Sequence, residues 1–191
     1  SVEIAGGGLK ATILSYGSLL YDLRLKDHDA PLVLAYGDFA DYLAHSPYLG
    51  ANCGRSINRI RNGVLTIDGV THQLEKNFLG QHNLHGGTNG IGTRNWTFAA
   101  VSNDEAVLEI RCPDGNMGFP GNLDIRATYR LSGKGILSIT LEAVSDKPTL
   151  CNLSHHSYFN LEDGGRSSIL GHAMQIGAGA YTPVDESLIP D

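Results

Sequence analysis

Apolar and polar residues alternate most regularly between Leu123 and Leu131, where Leu123, Ile125, Ala127, Tyr129 and Leu131 fall on one face and Asp124, Arg126, Thr128 and Arg130 on the other. A period of two marks a half-buried β-strand. Ser132-Gly133-Lys134-Gly135 then supplies a turn, and alternation resumes from Ile136 to Ala143 with Leu137, Ile139, Leu141 and Ala143 on one face. Together the two runs predict an antiparallel hairpin. A second hairpin is predicted for Gly63–Ile67 and Val70–Leu74, because the intervening Asp68-Gly69 tolerates the positive φ angles of a tight primed turn. Further strands are expected at Lys10–Ser15, Ser18–Leu25, Trp96–Ser102 and Ala106–Cys112, the last two joined across Asn103-Asp104, and only Asp38–Ala44 suggests a short helix.

An apolar 3.6-residue pattern never persists for three turns, which disfavours βαβ folds and their glycine-rich nucleotide loops. Gly6-Gly7-Gly8 opens no helix and is therefore no phosphate cradle. The 24 glycines fall mainly at turns, as many short antiparallel strands require. The expected fold class is all-β, a large antiparallel sandwich, with residues 1–191 forming a single domain.

Composition narrows the function. A hydrophobic fraction of 41% beside 18% charged residues belongs to a folding chain rather than a disordered one. The formal net charge of −6, without a Lys/Arg cluster, argues against nucleic acid as a partner. No apolar run approaches bilayer-spanning length, and Ser1–Gly8 does not read as a leader, so no membrane association and a cytoplasmic location are expected. Cys53, Cys112 and Cys151 are odd in number and far apart, which suits reduced thiols in the core or at its rim.

Three polar segments interrupt the strand pattern: Gly54-Arg55-Ser56-Ile57-Asn58-Arg59-Ile60, Asn83-Leu84-His85-Gly86-Gly87 and Asn152-Leu153-Ser154-His155-His156-Ser157-Tyr158-Phe159-Asn160. A sugar pocket needs Arg and Asn donors, a histidine that gives or takes a proton, and aromatic walls. Each segment also has a plain structural reading. Asn58-Arg59 can be a strand end beside a solvated arginine, Gly86-Gly87 a simple turn, and either His155 or His156 a buried structural histidine. Adjacent residues on a strand point to opposite faces, so at most one of His155 and His156 is expected to reach a given pocket.

Taken in this order and spacing, these segments, with Pro113-Asp-Gly-Asn-Met-Gly-Phe-Pro-Gly121 and Tyr181-Thr-Pro-Val-Asp-Glu-Ser-Leu-Ile-Pro190, resemble the aldose 1-epimerases, the galactose mutarotase family. The resemblance covers nearly the whole chain and implies a β-supersandwich of which these residues form the earlier part. It also implies interconversion of the α and β anomers of free aldoses such as galactose or glucose, with neither metal nor organic cofactor. By position in the motifs, His156 resembles the family's general acid to the ring oxygen and His85 the second histidine near that oxygen. Asn58 and Arg59 match the substrate-hydroxyl clamp. The family's general-base glutamate and its companion aspartate are expected beyond Asp191. Where the family usually has asparagine, this chain has His155, expected to point away from the pocket as a bystander.

Two rival readings carry different expectations. A non-catalytic sugar-binding or sensor relative would keep the clamp without the base. A metal enzyme built on His82, His85, His155 and His156 has suitable ligand types, but lacks the tight spacing of zinc or cupin sites.

Overall fold

The computed structural model describes residues 1–45 and 48–190. The long alternating runs form the strands expected of them. A four-stranded antiparallel sheet contains β9 (Thr97–Val101), β10 (Glu105–Cys112), β11 (Leu123–Ser132) and β12 (Ile136–Ser145), in the order β12-β11-β10-β9. A three-stranded antiparallel sheet joins β1 (Val2–Gly6), β2 (Leu9–Leu14) and β3 (Leu19–Leu25) in chain order. The inward residues of β11, Leu123, Ile125, Ala127, Tyr129 and Leu131, are all nearly fully buried. They share one apolar cluster with Ile4, Ala11, Ile13, Leu20 and Leu23 from the smaller sheet. Burial of that shared face holds the sandwich together, at about 25 cal/mol per Å² of apolar surface removed from water.

The outer face of the larger sheet is charged, and its register sets opposite signs side by side. Glu105 lies opposite Arg130, Glu109 opposite Arg126 and Arg111 opposite Asp124, with Arg126–Glu109 at 2.6 Å and Arg111–Asp124 at 3.3 Å. Exposed pairs contribute little stability each, but a slip by one residue would bury every one of these charges.

The smaller hairpin also forms as expected, with β6 (Val64–Ile67) and β7 (Val70–Gln73) joined through Asp68 at φ 49° and Gly69 at φ 78°. The short helix α1 spans Phe39–Ala44, and the Asp38 side chain caps it by accepting from the Ala40 N–H. Two details depart from expectation. Val2–Gly6 is a strand that alternation over so few residues did not reveal, and Gly7-Gly8 is its turn into β2. Gly7 is required there because a Cβ would fall 1.6 Å from the Ser132 carbonyl oxygen. On β12, Leu137, Ile139 and Leu141 are only half-buried and Ala143 is exposed, since this strand is the edge of its sheet among the described residues.

Four two-residue strands complete the topology: β4 (Asn52–Cys53) pairs with β13 (Ser154–His155), and β5 (Arg59–Ile60) pairs with β8 (Asn83–Leu84). These short pairs position the chemistry.

Candidate active site

Residues 50–60 act as a spine with a different partner at each end. Towards Gly50 the spine carries the His155-His156 segment: His156 N–H donates to Ala51 O at 2.8 Å, and Gly50 N–H donates to His156 O at 3.1 Å. Towards Ile60 it carries the His85 segment, where Arg59 lies opposite Leu84. Between these ends Asn58 turns the chain at φ 64°. The three polar segments are thereby brought together, and the His85 and His156 rings meet edge to face with centroids 5.2 Å apart.

His85 itself has a φ of 51°, a left-handed conformation uncommon outside glycine and asparagine. Reciprocal bonds hold it: His85 N–H donates to Asn58 O at 3.1 Å, and Asn58 N–H donates to His85 Nδ1 at 3.1 Å. An Nδ1 that accepts has no proton, so the neutral ring carries its proton on Nε2. Burial, with the nearby charges of His156 and Arg59, pulls its pKa down to about 4. His85 is therefore a neutral hydrogen-bond donor near pH 7 rather than a proton carrier.

Aromatic residues wall the pair. The Tyr48 ring lies 4.7 Å from His85 and 6.1 Å from His156, while the Tyr158 ring lies 5.1 Å from His156. Burial pushes the Tyr48 phenol up to about 12, so it remains a neutral donor and acceptor. Arg59 donates through Nη1 to Asn58 Oδ1 at 2.9 Å, and its Cζ sits 4.5 Å over the Phe78 ring. That bond orients Asn58 and Arg59 as one unit, and the stacking holds the guanidinium plane.

Other polar residues in the motifs face elsewhere. Arg55 is buried, donating to Pro120 O at 2.7 Å, Gly121 O at 2.9 Å and Cys112 O at 3.3 Å, and it fastens the Pro113–Gly121 loop to the spine. Asn83 donates to Glu75 O at 2.9 Å, and Asn160 Oδ1 accepts from the Glu162 N–H at 3.0 Å. His82 is turned to the Asn62 N–H, 3.0 Å from its Nδ1, and His155 lies on the opposite face from His156. The four histidines therefore do not converge, and among the described residues no group of three His, Cys, Asp or Glu could hold a metal ion.

Two residues missed in the sequence border the site. Tyr48 lies in an irregular stretch with no periodicity to mark it. Glu75 accepts from Thr88 N–H at 2.6 Å and from Thr88 Oγ1 at 2.7 Å, which pins the loop that follows His85. The glycines of that loop serve packing: a Cβ on Gly86 would fall 2.0 Å from Gly54 O. A concavity of about 780 Å³ does lie elsewhere, on the charged face of the larger sheet, lined by residues including Arg94, Glu109 and Arg126. Its charges largely satisfy one another, whereas the histidine cluster combines titratable rings with aromatic walls, which makes it the candidate site.

A family model for aldose 1-epimerase matches residues 1–191. Galactose mutarotase of Sus scrofa is 39% identical over 191 residues, 98% of this chain and 55% of that protein. Aldose 1-epimerase of Escherichia coli K12 is 37% identical over 96% of this chain and 53% of its own length. Among solved structures, an aldose epimerase homologue from C. elegans superposes with a TM-score of 0.91 at 31% identity, covering 99% of this chain and 58% of that one. Galactose 1-epimerase from Lactobacillus acidophilus gives 0.81 at 34% identity, covering 97% and 54%. The chain belongs to the aldose 1-epimerase family, and its all-β antiparallel architecture is the galactose mutarotase-like supersandwich. It spans about half the length of the relatives it matches.

Proposed function

We propose that this chain supplies the acid side of an aldose 1-epimerase site that interconverts the α and β anomers of free hexoses such as galactose or glucose. His156 is the general acid, His85 its hydrogen-bonding companion, and Asn58 with Arg59 the clamp on the sugar hydroxyls. The observation that carries this reading is the contact of His156 with a histidine kept neutral and protonated on Nε2.

In the reaction a base removes the proton from the C1 hydroxyl and the O1 electron pair closes to a carbonyl. The C1–O5 bond breaks, and O5 takes its proton from His156. The Nε2–H of His85 donates to O5 and stabilises the charge that develops there before the proton arrives. Rotation about C1–C2 and reclosure, with the proton movements reversed, give the other anomer. The base is assigned, as the family resemblance implies, to a glutamate in the part of the relatives that this chain does not span, and Glu75, which accepts from Thr88, is given no part in the proton transfers. The substrate is a small free sugar, and no metal or organic cofactor enters any step. No helix of the described residues is long and apolar enough to cross a membrane, and the free thiols of Cys53, Cys112 and Cys151 fit a reducing, cytoplasmic setting.

The test is polarimetry of freshly dissolved α-D-galactose with the full-length protein and its His156→Ala variant. Loss of a general acid should slow mutarotation roughly 10²–10⁴-fold; an undiminished rate would remove His156 from the mechanism. Galactose binding without any acceleration by the unaltered protein would instead favour the non-catalytic relative.

A further inference from the structure

His155 faces away from the pocket, yet its side chain is held by a directed chain of buried hydrogen bonds. The chain starts at the Ser18 carbonyl, which can only accept. The Tyr129 hydroxyl donates to that oxygen, so its own oxygen is free to accept from Asn52 Nδ2–H at 2.8 Å. Asn52 Nδ2–H also points to the Ser18 carbonyl at 3.3 Å, which fixes the amide with Oδ1 towards His155. His155 Nδ1 lies 2.9 Å from that Oδ1 and must donate to it. Burial, aided by the charge of His156, pulls the His155 pKa down to about 4, so the ring is neutral and Nε2 is bare. Ser157 Oγ, 2.6 Å from Nε2, is therefore the donor.

The last bond joins residues 155 and 157, the two neighbours of His156. Their side chains share the face opposite to that of His156, as alternation along an extended segment requires. The bond thus closes a ring around both peptide groups of His156. Its backbone is already tied to Ala51 and Gly50, but β13 has only two residues, and so short a pair leaves the chain beyond it free to pivot. Asn52 and Tyr129 are fully buried and anchor the other end of the chain in β4 and β11.

We propose that His155 is a positioning residue, which through Asn52 and Ser157 forms a clasp behind His156 and sets the direction in which the His156 ring meets His85 and the substrate oxygen. The inference rests on His156 being the acid. Small misplacement of an acid is costly in rate while leaving ground-state binding nearly intact. The sequence expectation that His155 is a bystander is thereby replaced by a role at one remove from the chemistry.

The test uses the full-length protein. Ser157→Ala deletes one hydroxyl and should lower kcat about tenfold, with KM changed by less than about twofold and Tm by only a few degrees. Ser157→Thr keeps the hydroxyl and should hold kcat within about twofold of the unaltered protein. His155→Leu should lower kcat at least as far as Ser157→Ala. Nitrogen-15 spectra of labelled histidine should show the His155 proton on Nδ1, with Nε2 still unprotonated as pH falls to about 5. An Nε2-protonated His155 overturns the clasp. Inactivity of His156→Ala together with full kcat in Ser157→Ala and His155→Leu overturns the positioning role and leaves the acid reading standing. Full activity of His156→Ala overturns the acid reading and the catalytic consequence of the clasp, while the spectra still decide whether the clasp exists.

Discussion

Acidification from about pH 7 to about pH 5 should destabilise this fold through histidines that are buried neutral. His155 and His85 are both held at about 4 against an ordinary value of 6.5, burial being the larger cause in each. Between those two values the unfolded chain binds a proton at each imidazole and the folded chain does not, so stability falls as pH falls. It is fully present above 6.5, and the loss is complete below about 4. For the well-buried His155 the linkage integral at about pH 5 comes to roughly 2 kcal/mol. Half-buried His85 adds less, because solvent screens its charge. At about 2–4 °C per kcal/mol for a chain of this size, His155 alone corresponds to a fall in Tm of roughly 4–8 °C. The hydrogen-bonded carboxylates of Asp114 and Asp146, held low by Lys147 and by Asn122 respectively, titrate beneath this window, so the slope within it belongs to imidazoles. Thermal melts followed by circular dichroism at pH 7, 6 and 5 measure it. His155→Asn should melt lower at pH 7, having lost part of the buried network, but with a visibly shallower dependence on pH. An equal slope in that variant, or a Tm that rises on acidification, would refute the reasoning.

Two further outcomes follow from the clamp and the loop. Arg59→Lys keeps the charge but loses the planar group that bonds Asn58 Oδ1 and stacks on Phe78; it should raise KM for galactose about tenfold with a smaller effect on kcat, and an unchanged KM in steady-state polarimetry would remove Arg59 from the clamp. Gly86→Ala sets a Cβ 2.0 Å from Gly54 O at a φ of 84°, so the loop must move and carry His85 with it; mutarotation should drop at least about tenfold, and wild-type kinetics would show that His85 tolerates displacement.

The sandwich was legible because its stabilising face is written with a period of two. Leu123 to Leu131 alternate without interruption, and the residues read as inward are the buried ones. The Asp68-Gly69 turn was legible because few residue pairs accept two successive positive φ angles. The pairing that builds the site was not. Strands of two residues have no period to detect, and in the pair Asn52–Cys53 against Ser154–His155 the partners lie about a hundred positions apart. Only the motif resemblance pointed to their meeting. His155 shows the limit of strand alternation: it gives the direction of the side chain, but not the Tyr129–Asn52–His155–Ser157 connection waiting on the far side.

The site also departs from local preference where it matters to the chemistry. His85 and Asn58 both occupy the left-handed region, and a non-glycine residue held there costs of order 1 kcal/mol or more. The two residues offset this cost by bonding each other, backbone to backbone and backbone to imidazole. The bond that stabilises the turn is the same one that occupies Nδ1 and leaves the His85 proton on Nε2. Conformation and protonation are therefore set together: a change that relaxed the backbone at residue 85 would also release the tautomer. On the other side of the pocket, the bond to Asn52 Oδ1 fixes the His155 tautomer, and the bond that this tautomer accepts from Ser157 sets the orientation of His156. Each proposed catalytic imidazole is thus aimed by a hydrogen bond to a neighbouring ring nitrogen or to its own, and the two aiming devices share the spine at residues 50–60.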